Sequence, residues 1–208
     1  MRVSKEKAAE NRVALLRAAS HLFRQRGIDG VGVAEVAKAA GLTHGALYAH
    51  FPSKDALVAE AFWYGFERNA AEARASAPER RPSFDEHLAG IFSVDARDRM
   101  ETGCPMTASA SEIARQGDAV SARFAAAFEE VVKLLEEGVP APKRRRLAVA
   151  AVAVQIGAIA VSRAVVKADA ALAEEVLTST RKAISAAGKA ETAGRQSEAR
   201  SPSRGKGS

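Results

Sequence analysis

The chain has 208 residues, a formal net charge of +6 and a single cysteine, which excludes an intramolecular disulfide framework and the usual cysteine-rich zinc sites. Its 47% apolar and 27% charged residues are typical of a globular protein and exclude wholesale disorder. No secretory leader pattern opens the chain, so we expect a cytoplasmic protein. The longest apolar stretch, residues 147–161, is too short to span a bilayer, and we expect no membrane partner.

The positive charge is concentrated at the two ends of the chain. Residues 1–55 contain nine Lys/Arg against five Asp/Glu, residues 56–187 contain 17 against 18, and residues 188–208 contain five against two. A basic N-terminal unit on a nearly neutral body indicates that the N-terminal unit binds a polyanion.

Almost every segment has helical periodicity and none alternates like a strand, so we predict an all-α chain of about nine helices. In chain order these helices start near residues 7, 33, 43, 53, 84, 106, 118, 143 and 169. We predict an N-terminal three-helix domain over residues 1–54 and a helical body over residues 55–187. Residues 188–208 lack large apolar side chains, so we predict a disordered tail.

Residues 33–51, VAEVAKAAGLTHGALYAHF, have the pattern of a helix-turn-helix. Gly41 permits the positive φ that the turn requires, and the Thr43 hydroxyl can cap the second helix. Many helical hairpins imitate this pattern, so by itself it leaves DNA binding and protein contact both open.

The outward side chains of that second helix are candidate DNA contacts. Thr43, His44 and Ala46 are candidates for base edges, and small side chains at Gly45 and Ala46 let the backbone approach a groove. Candidates for phosphate contact are Tyr48, His50 and Lys54.

Structural interpretations of these residues stay open. Tyr48 can be a half-buried packing residue, His50 can close the helix, and His44 can be a solvated polar side chain. His44 and His50 do not share a helical face and have no third ligand nearby, so we predict neither a metal site nor a cofactor.

Residues 17–62 closely resemble the N-terminal domain of the TetR family of dimeric transcriptional regulators, through Gly27, Gly41–Leu42–Thr43, Leu47–Tyr48, His50–Phe51 and Lys54. The resemblance implies an all-α fold whose three-helix head binds a palindromic double-stranded DNA operator. It also implies a homodimeric repressor that a small molecule releases from DNA.

The resemblance adds candidate DNA contacts at Gly32 and Val33, where the helix before the turn begins. The family often has Ser or Thr at the position of Gly32, where the hydroxyl caps the helix and touches phosphate. Glycine is an acceptable cap, but a side-chain phosphate contact is lost here.

The body lacks a catalytic constellation and a glycine-rich phosphate loop, so we predict that the chain is not an enzyme. The apolar and aromatic residues of its helices are candidates for binding an apolar or aromatic inducer, and they are equally good core residues. They are Phe62, Phe66, Phe84, Leu88, Phe92, Met106, Ile113, Phe124 and Phe128.

Residues 147–166 are apolar around most of the helix and rich in alanine and glycine, so this helix must be covered on all sides. The family pairs its last two helices between subunits, which implies a homodimer through residues 147–166 and 172–184. The alternative is an ordinary core helix within one subunit.

Cys104 precedes a predicted helix, where unpaired N–H groups lower the pKa of a thiol. An alternative function is therefore a repressor that senses oxidants or electrophiles through Cys104. The structural alternative is a small buried apolar residue. A rival of another class is a helical small-molecule-binding protein or enzyme whose head contacts protein.

Overall fold

The computed structural model describes residues 4–76, 82–137, 139 and 144–198, and the regular structure within these ranges is entirely α-helical, which confirms the predicted fold class. These ranges contain ten helices. They are α1 (Lys5–Arg26), α2 (Val33–Ala39), α3 (His44–Tyr48), α4 (Lys54–Ser76), α5 (Phe84–Ile91), α6 (Val94–Asp98), α7 (Pro105–Ile113), α8 (Asp118–Glu136), α9 (Arg144–Val165) and α10 (Ala170–Glu198).

Helix ends in the N-terminal region follow local signals in the sequence. Helix α1 ends at Gly27, which has a φ of +80° and donates its N–H to the Phe23 carbonyl at 3.0 Å. Helix α4 begins after Ser53, whose hydroxyl accepts the Ala56 N–H at 3.1 Å.

The structure differs from the sequence prediction in two helices. The additional helix, α6, has five residues and is capped by the Ser93 hydroxyl, and so short a helix shows no apolar periodicity. Helix α10 continues to Glu198, although we predicted a disordered tail from Gly188. Gly188 packs against Phe84 and Leu147, and the residues after it include many helix formers. Residues 77–81 and 199–208 lie outside the described ranges.

The apolar side chains form two cores that meet along α8. The first joins α1–α4 to α7 and α8, and its fully buried members include Leu15, Leu47 and Phe51. The second joins α5, α8, α9 and α10 around Leu88 and Ile159. Helix α4 packs on α1, α7 and α8, so it connects the N-terminal helices to the body.

Helices α1 and α4 approach closely where Ser20 faces Gly65. Ser20 is buried, and its hydroxyl has no hydrogen-bond partner among the described residues. A Cβ at position 65 would overlap that hydroxyl oxygen in its observed rotamer, so glycine permits the close packing here.

We predict that Gly65→Ala lowers the free energy of unfolding by about 1–3 kcal/mol, because the new methyl group overpacks this contact. In a Ser20→Ala background the same change becomes neutral, or stabilising by up to about 1 kcal/mol, since the oxygen is gone and alanine favours helix. Urea unfolding of the four proteins measures the coupling between the two sites. Equal effects of Gly65→Ala in both backgrounds would contradict the packing described.

Candidate nucleic-acid interface

A tight turn joins α2 to α3 and sets the angle between them. Gly41 has a φ of +70°, as the sequence predicts, and its N–H donates to the Lys38 carbonyl at 3.0 Å. The next N–H, of Leu42, donates to the Ala37 carbonyl at 2.9 Å, which completes the backbone pairing at the end of α2.

Two apolar side chains anchor α3 from its inner face. Leu47 and Phe51 are fully buried in the first core. The guanidinium of Arg12 on α1 lies 5.0 Å from the centre of the Phe51 ring and forms an ion pair with Glu60 on α4. Helix α3 is therefore held by its inner face alone, which leaves its outer face available to a partner.

The outer face of α3 presents most of the residues predicted to face bases. Thr43, His44 and Gly45 are exposed and Ala46 is half-buried. The Thr43 hydroxyl accepts the Ala46 N–H at 3.2 Å, which confirms the predicted cap. The His44 ring meets the ring of Tyr48 edge-on at 5.1 Å, so these two side chains form one exposed unit.

The residues predicted to contact phosphate lie at and beyond the end of α3. Tyr48 is 47% exposed, which disfavours the packing alternative. His50 is half-buried, with its ring 6.4 Å from that of Phe51. Lys54 is half-buried at the first position of α4 and forms no ion pair with another residue in the described parts of the chain.

Gly32 and Val33 lie at the start of α2. Gly32 is exposed and caps α2 without a side-chain hydrogen bond, and a Cβ there would meet no atom within 4 Å. The Val33 side chain packs against the first core, so only its backbone remains a candidate for DNA contact.

The segment with this geometry matches the sequence profile of "Bacterial regulatory proteins, tetR family" over residues 15–61. Residues 15–61 are therefore similar to the N-terminal segment of TetR-family regulators. It is 42% identical over 71 residues to the HTH-type transcriptional regulator AcrR of Shigella flexneri, covering 34% of this chain and 33% of that protein. It is also 46% identical over 54 residues to the HTH-type transcriptional repressor BepR of Brucella suis, covering 26% of each. The matches thus span about a third or less of these relatives.

Solved structures of other proteins share the fold over most of the chain. A regulator from Chloroflexus aurantiacus has a TM-score of 0.68 at 24% identity, covering 86% of this chain and 96% of the other. The reduced form of Escherichia coli NemR has a TM-score of 0.68 at 17% identity, covering 84% and 94%. At these identities the likeness establishes the fold of the body but not its ligand.

Helix α7 of the body holds the turn between α1 and α2 in the TetR-type head. The Glu112 carboxylate accepts the Ile28 N–H at 2.5 Å and lies against Gly27. The Gln116 side chain, just beyond α7, donates to Asp29 at 3.1 Å. This connection was not predictable from the sequence, because the paired residues are more than 80 positions apart.

The nine inducer candidates fall into both cores instead of one cavity. Phe62, Phe66, Met106 and Ile113 belong to the first core, whereas Leu88 and Phe92 belong to the second. Of the half-buried candidates, Phe124 lies beside Phe62 at 5.9 Å between ring centres, Phe84 packs on the second core, and Phe128 touches both cores. The structure therefore gives these residues core positions.

Cys104 caps α7 and is half-buried. The backbone N–H groups of Met106 and Thr107 and the guanidiniums of Arg24 and Arg163 favour the thiolate, but desolvation outweighs them and raises the pKa of the Cys104 thiol. The expectation of a lowered pKa is thus wrong, because it considered the helix end without the surrounding burial. A raised pKa disfavours a reactive sensor thiol.

We predict that Cys104 in the folded protein reacts with iodoacetamide at pH 7–8 more slowly than in the urea-unfolded chain. Raising the pKa leaves less thiolate at neutral pH, and burial restricts access. Mass spectrometry of timed samples measures both rates. A folded-state rate equal to or above the unfolded one would restore the sensor hypothesis.

None of the residues that the structure describes covers one face of α9. Ala153, Val154, Gly157, Ala160 and Val161 are exposed and follow one another at helical spacing, while the opposite face is buried. By length and composition α9 could also cross a membrane, but a core helix meets the same test, and α9 packs on α6, α7, α8 and α10.

Proposed function

We propose that this protein is a DNA-binding transcriptional regulator in the cytoplasm, and that α3 enters the major groove. The observation that carries this proposal is the outer face of α3. It presents Thr43, His44 and Tyr48 to solvent while Leu47 and Phe51 fix its position from inside. The family match covers this segment. Here Thr43, His44 and Ala46 would face bases, and Tyr48, His50 and Lys54 would hold phosphates.

We propose further that the regulator acts as a homodimer through α9 and α10. The exposed small-residue stripe of α9 supports this, together with Leu172 of α10, which is 43% exposed. Small side chains permit close helix approach, and pairing two copies would remove the stripe from water. Two-fold symmetry then requires a palindromic operator, with half-sites about 34–36 Å apart for one helical turn.

Repression with release by a small molecule is the regulatory mode we propose. A ligand that favours a head spacing unsuited to the operator needs a coupling free energy of about 1–3 kcal/mol. The link from Glu112 on α7 to the Ile28 N–H supports such coupling, because a shift of α7 would move the turn between α1 and α2.

We predict that the protein retards DNA from upstream of its own gene, with an affinity that falls steeply with salt. Lys54→Gln should weaken binding to all sequences alike and reduce the salt slope by about two per dimer, since one phosphate contact is lost in each head. His44→Ala should instead alter sequence preference. Fluorescence anisotropy in graded salt gives both quantities.

The control for Lys54→Gln is Lys133→Gln, which removes an exposed lysine from α8 in the body. It should leave affinity and salt slope unchanged. No binding at low salt would overturn the proposed function, and wild-type behaviour of both Lys54→Gln and His44→Ala would overturn the proposed contacts.

Gly32→Ser should strengthen DNA binding by about tenfold, because a hydroxyl there can cap α2 and donate to phosphate. The site is open and the backbone of Gly32, with φ −86° and ψ 151°, suits serine. Gly32→Ala is the matched control without a hydroxyl. Equal affinities of the two variants would contradict a phosphate beside this cap.

Val161→Glu should yield a monomer in analytical ultracentrifugation and weaken operator binding, because it places a carboxylate on the α9 stripe. Leu134→Glu, at an apolar α8 residue that is 51% exposed, is the matched control and should remain dimeric. A dimeric Val161→Glu protein would show that the stripe is not the interface.

A further inference from the structure

A cleft of about 470 Å³ lies between α1 and α4, beside the end of α2 and residues 101–102. Its volume is within the range of small-molecule sites, about 300–1,000 Å³. None of the nine predicted inducer residues lines it. We propose that this cleft binds a small organic carboxylate, with Arg17, Arg24 and Arg68 facing the carboxylate and the apolar wall facing the hydrocarbon part.

Cationic side chains outnumber anionic ones in the cleft. Three guanidiniums line it, against the single carboxylate of Glu101. That carboxylate already accepts from Gln25 at 2.9 Å and lies 3.4 Å from Nε2 of His21. Glu72, just outside the lining, pairs with Arg68 at 2.9 Å and offsets part of this charge, so the remaining positive excess is that of Arg17 and Arg24.

Two of the three arginines have no carboxylate partner in the described parts of the chain. Arg24 donates only to backbone carbonyls, of Ser20 at 2.9 Å and Gly103 at 2.8 Å, and Arg17 forms no ion pair there. Burial and, next, repulsion by Arg68 lower the pKa of Arg24. Glu72 is the acidic neighbour of both Arg24 and Arg68, but it forms no ion pair with Arg24, whose guanidinium is left for a ligand carboxylate.

The remaining walls distinguish an organic anion from inorganic phosphate. Ala14, Ala18 and Leu22 supply an apolar side on α1, and the ring of Tyr64 lines the cleft from α4. An apolar wall beside cations matches a ligand with both a carboxylate and a hydrocarbon part.

If the proposed function holds, a ligand in the cleft would change the conformation of the DNA-binding head. The walls belong to α1 and α2 of the head and to α4, which starts at Lys54. A ligand between α1 and α4 therefore favours one separation of these helices, and binding to one conformation shifts the equilibrium toward it.

Isothermal titration of the full-length protein with benzoate tests the site without DNA. We expect saturable binding with a Kd of about 1 mM or tighter, and at least about tenfold weaker binding of neutral benzamide and of inorganic phosphate. Absence of saturation by about 10 mM benzoate would overturn the proposal. So would equal binding of benzamide or of phosphate.

Arg68→Gln should weaken benzoate binding by at least about tenfold, because it removes a charged donor. It also frees the carboxylate of Glu72, which Arg68 binds at 2.9 Å. Arg74→Gln, at an exposed arginine of α4 outside the cleft, is the matched control and should bind like wild type. Unchanged affinity in Arg68→Gln, with an unaltered melting temperature, would place benzoate elsewhere and overturn the proposal.

Anisotropy of operator DNA with and without benzoate adds the regulatory readout. A protein that binds benzoate but no DNA contradicts the proposed function and leaves the site standing. A protein that binds DNA but no benzoate contradicts only the site.

Discussion

The hydrogen bond from the Ile28 N–H to the Glu112 carboxylate is the contact on which the arrangement of head and body depends. It satisfies a backbone donor just after the end of α1, and the same carboxylate lies against Gly27. Gly27 is doubly constrained, since its φ of +80° and its contact with that carboxylate both disfavour a side chain. A helix of the body thus contacts the head at the turn that connects its first two helices.

Helix α4 provides a second connection between the head and the body. Helices α1 and α4 touch at Ser20 and Gly65, and α4 then continues into the body beside α8. The head therefore has two attachments of different kinds: a polar one through α7 and a close-packed one through α4. The hydrogen bond through α7 depends on the distance and angle between its groups, and the contact through α4 depends on side-chain volume. A ligand that moves α7 or α4 would therefore change the position of the head relative to the body.

Features governed by short-range rules were predictable from the sequence. Gly41 and Thr43 have the conformation and the cap that their residue types favour, because both depend on neighbours within a few positions. The Cys104 prediction failed because a helix end acts locally, whereas the burial that raises its pKa comes from tertiary packing. Periodicity likewise identified Phe62 and Leu88 as inward-facing but could not say that they belong to different cores.

Sites that combine distant segments were not predictable from the sequence for the same reason. The cleft between α1 and α4 combines residues from four separate segments, and no spacing rule brings Arg24 to Arg68. The outward side chains of α3 were easier to predict. The helix has only five residues, and because Leu47 is buried, the other side chains must point away from the core.

The exposed small-residue stripe of α9 makes the stability of the protein depend on its concentration in the cell. If a second copy covers Gly157 and its neighbours, part of the apolar burial of each subunit is shared, and stability follows mass action. Dilution would then reduce operator occupancy and expose subunits to unfolding and proteolysis together. Such a regulator would have a minimum cellular concentration. Below that concentration its monomers would unfold and be degraded by proteases, so that inactive monomer would not accumulate.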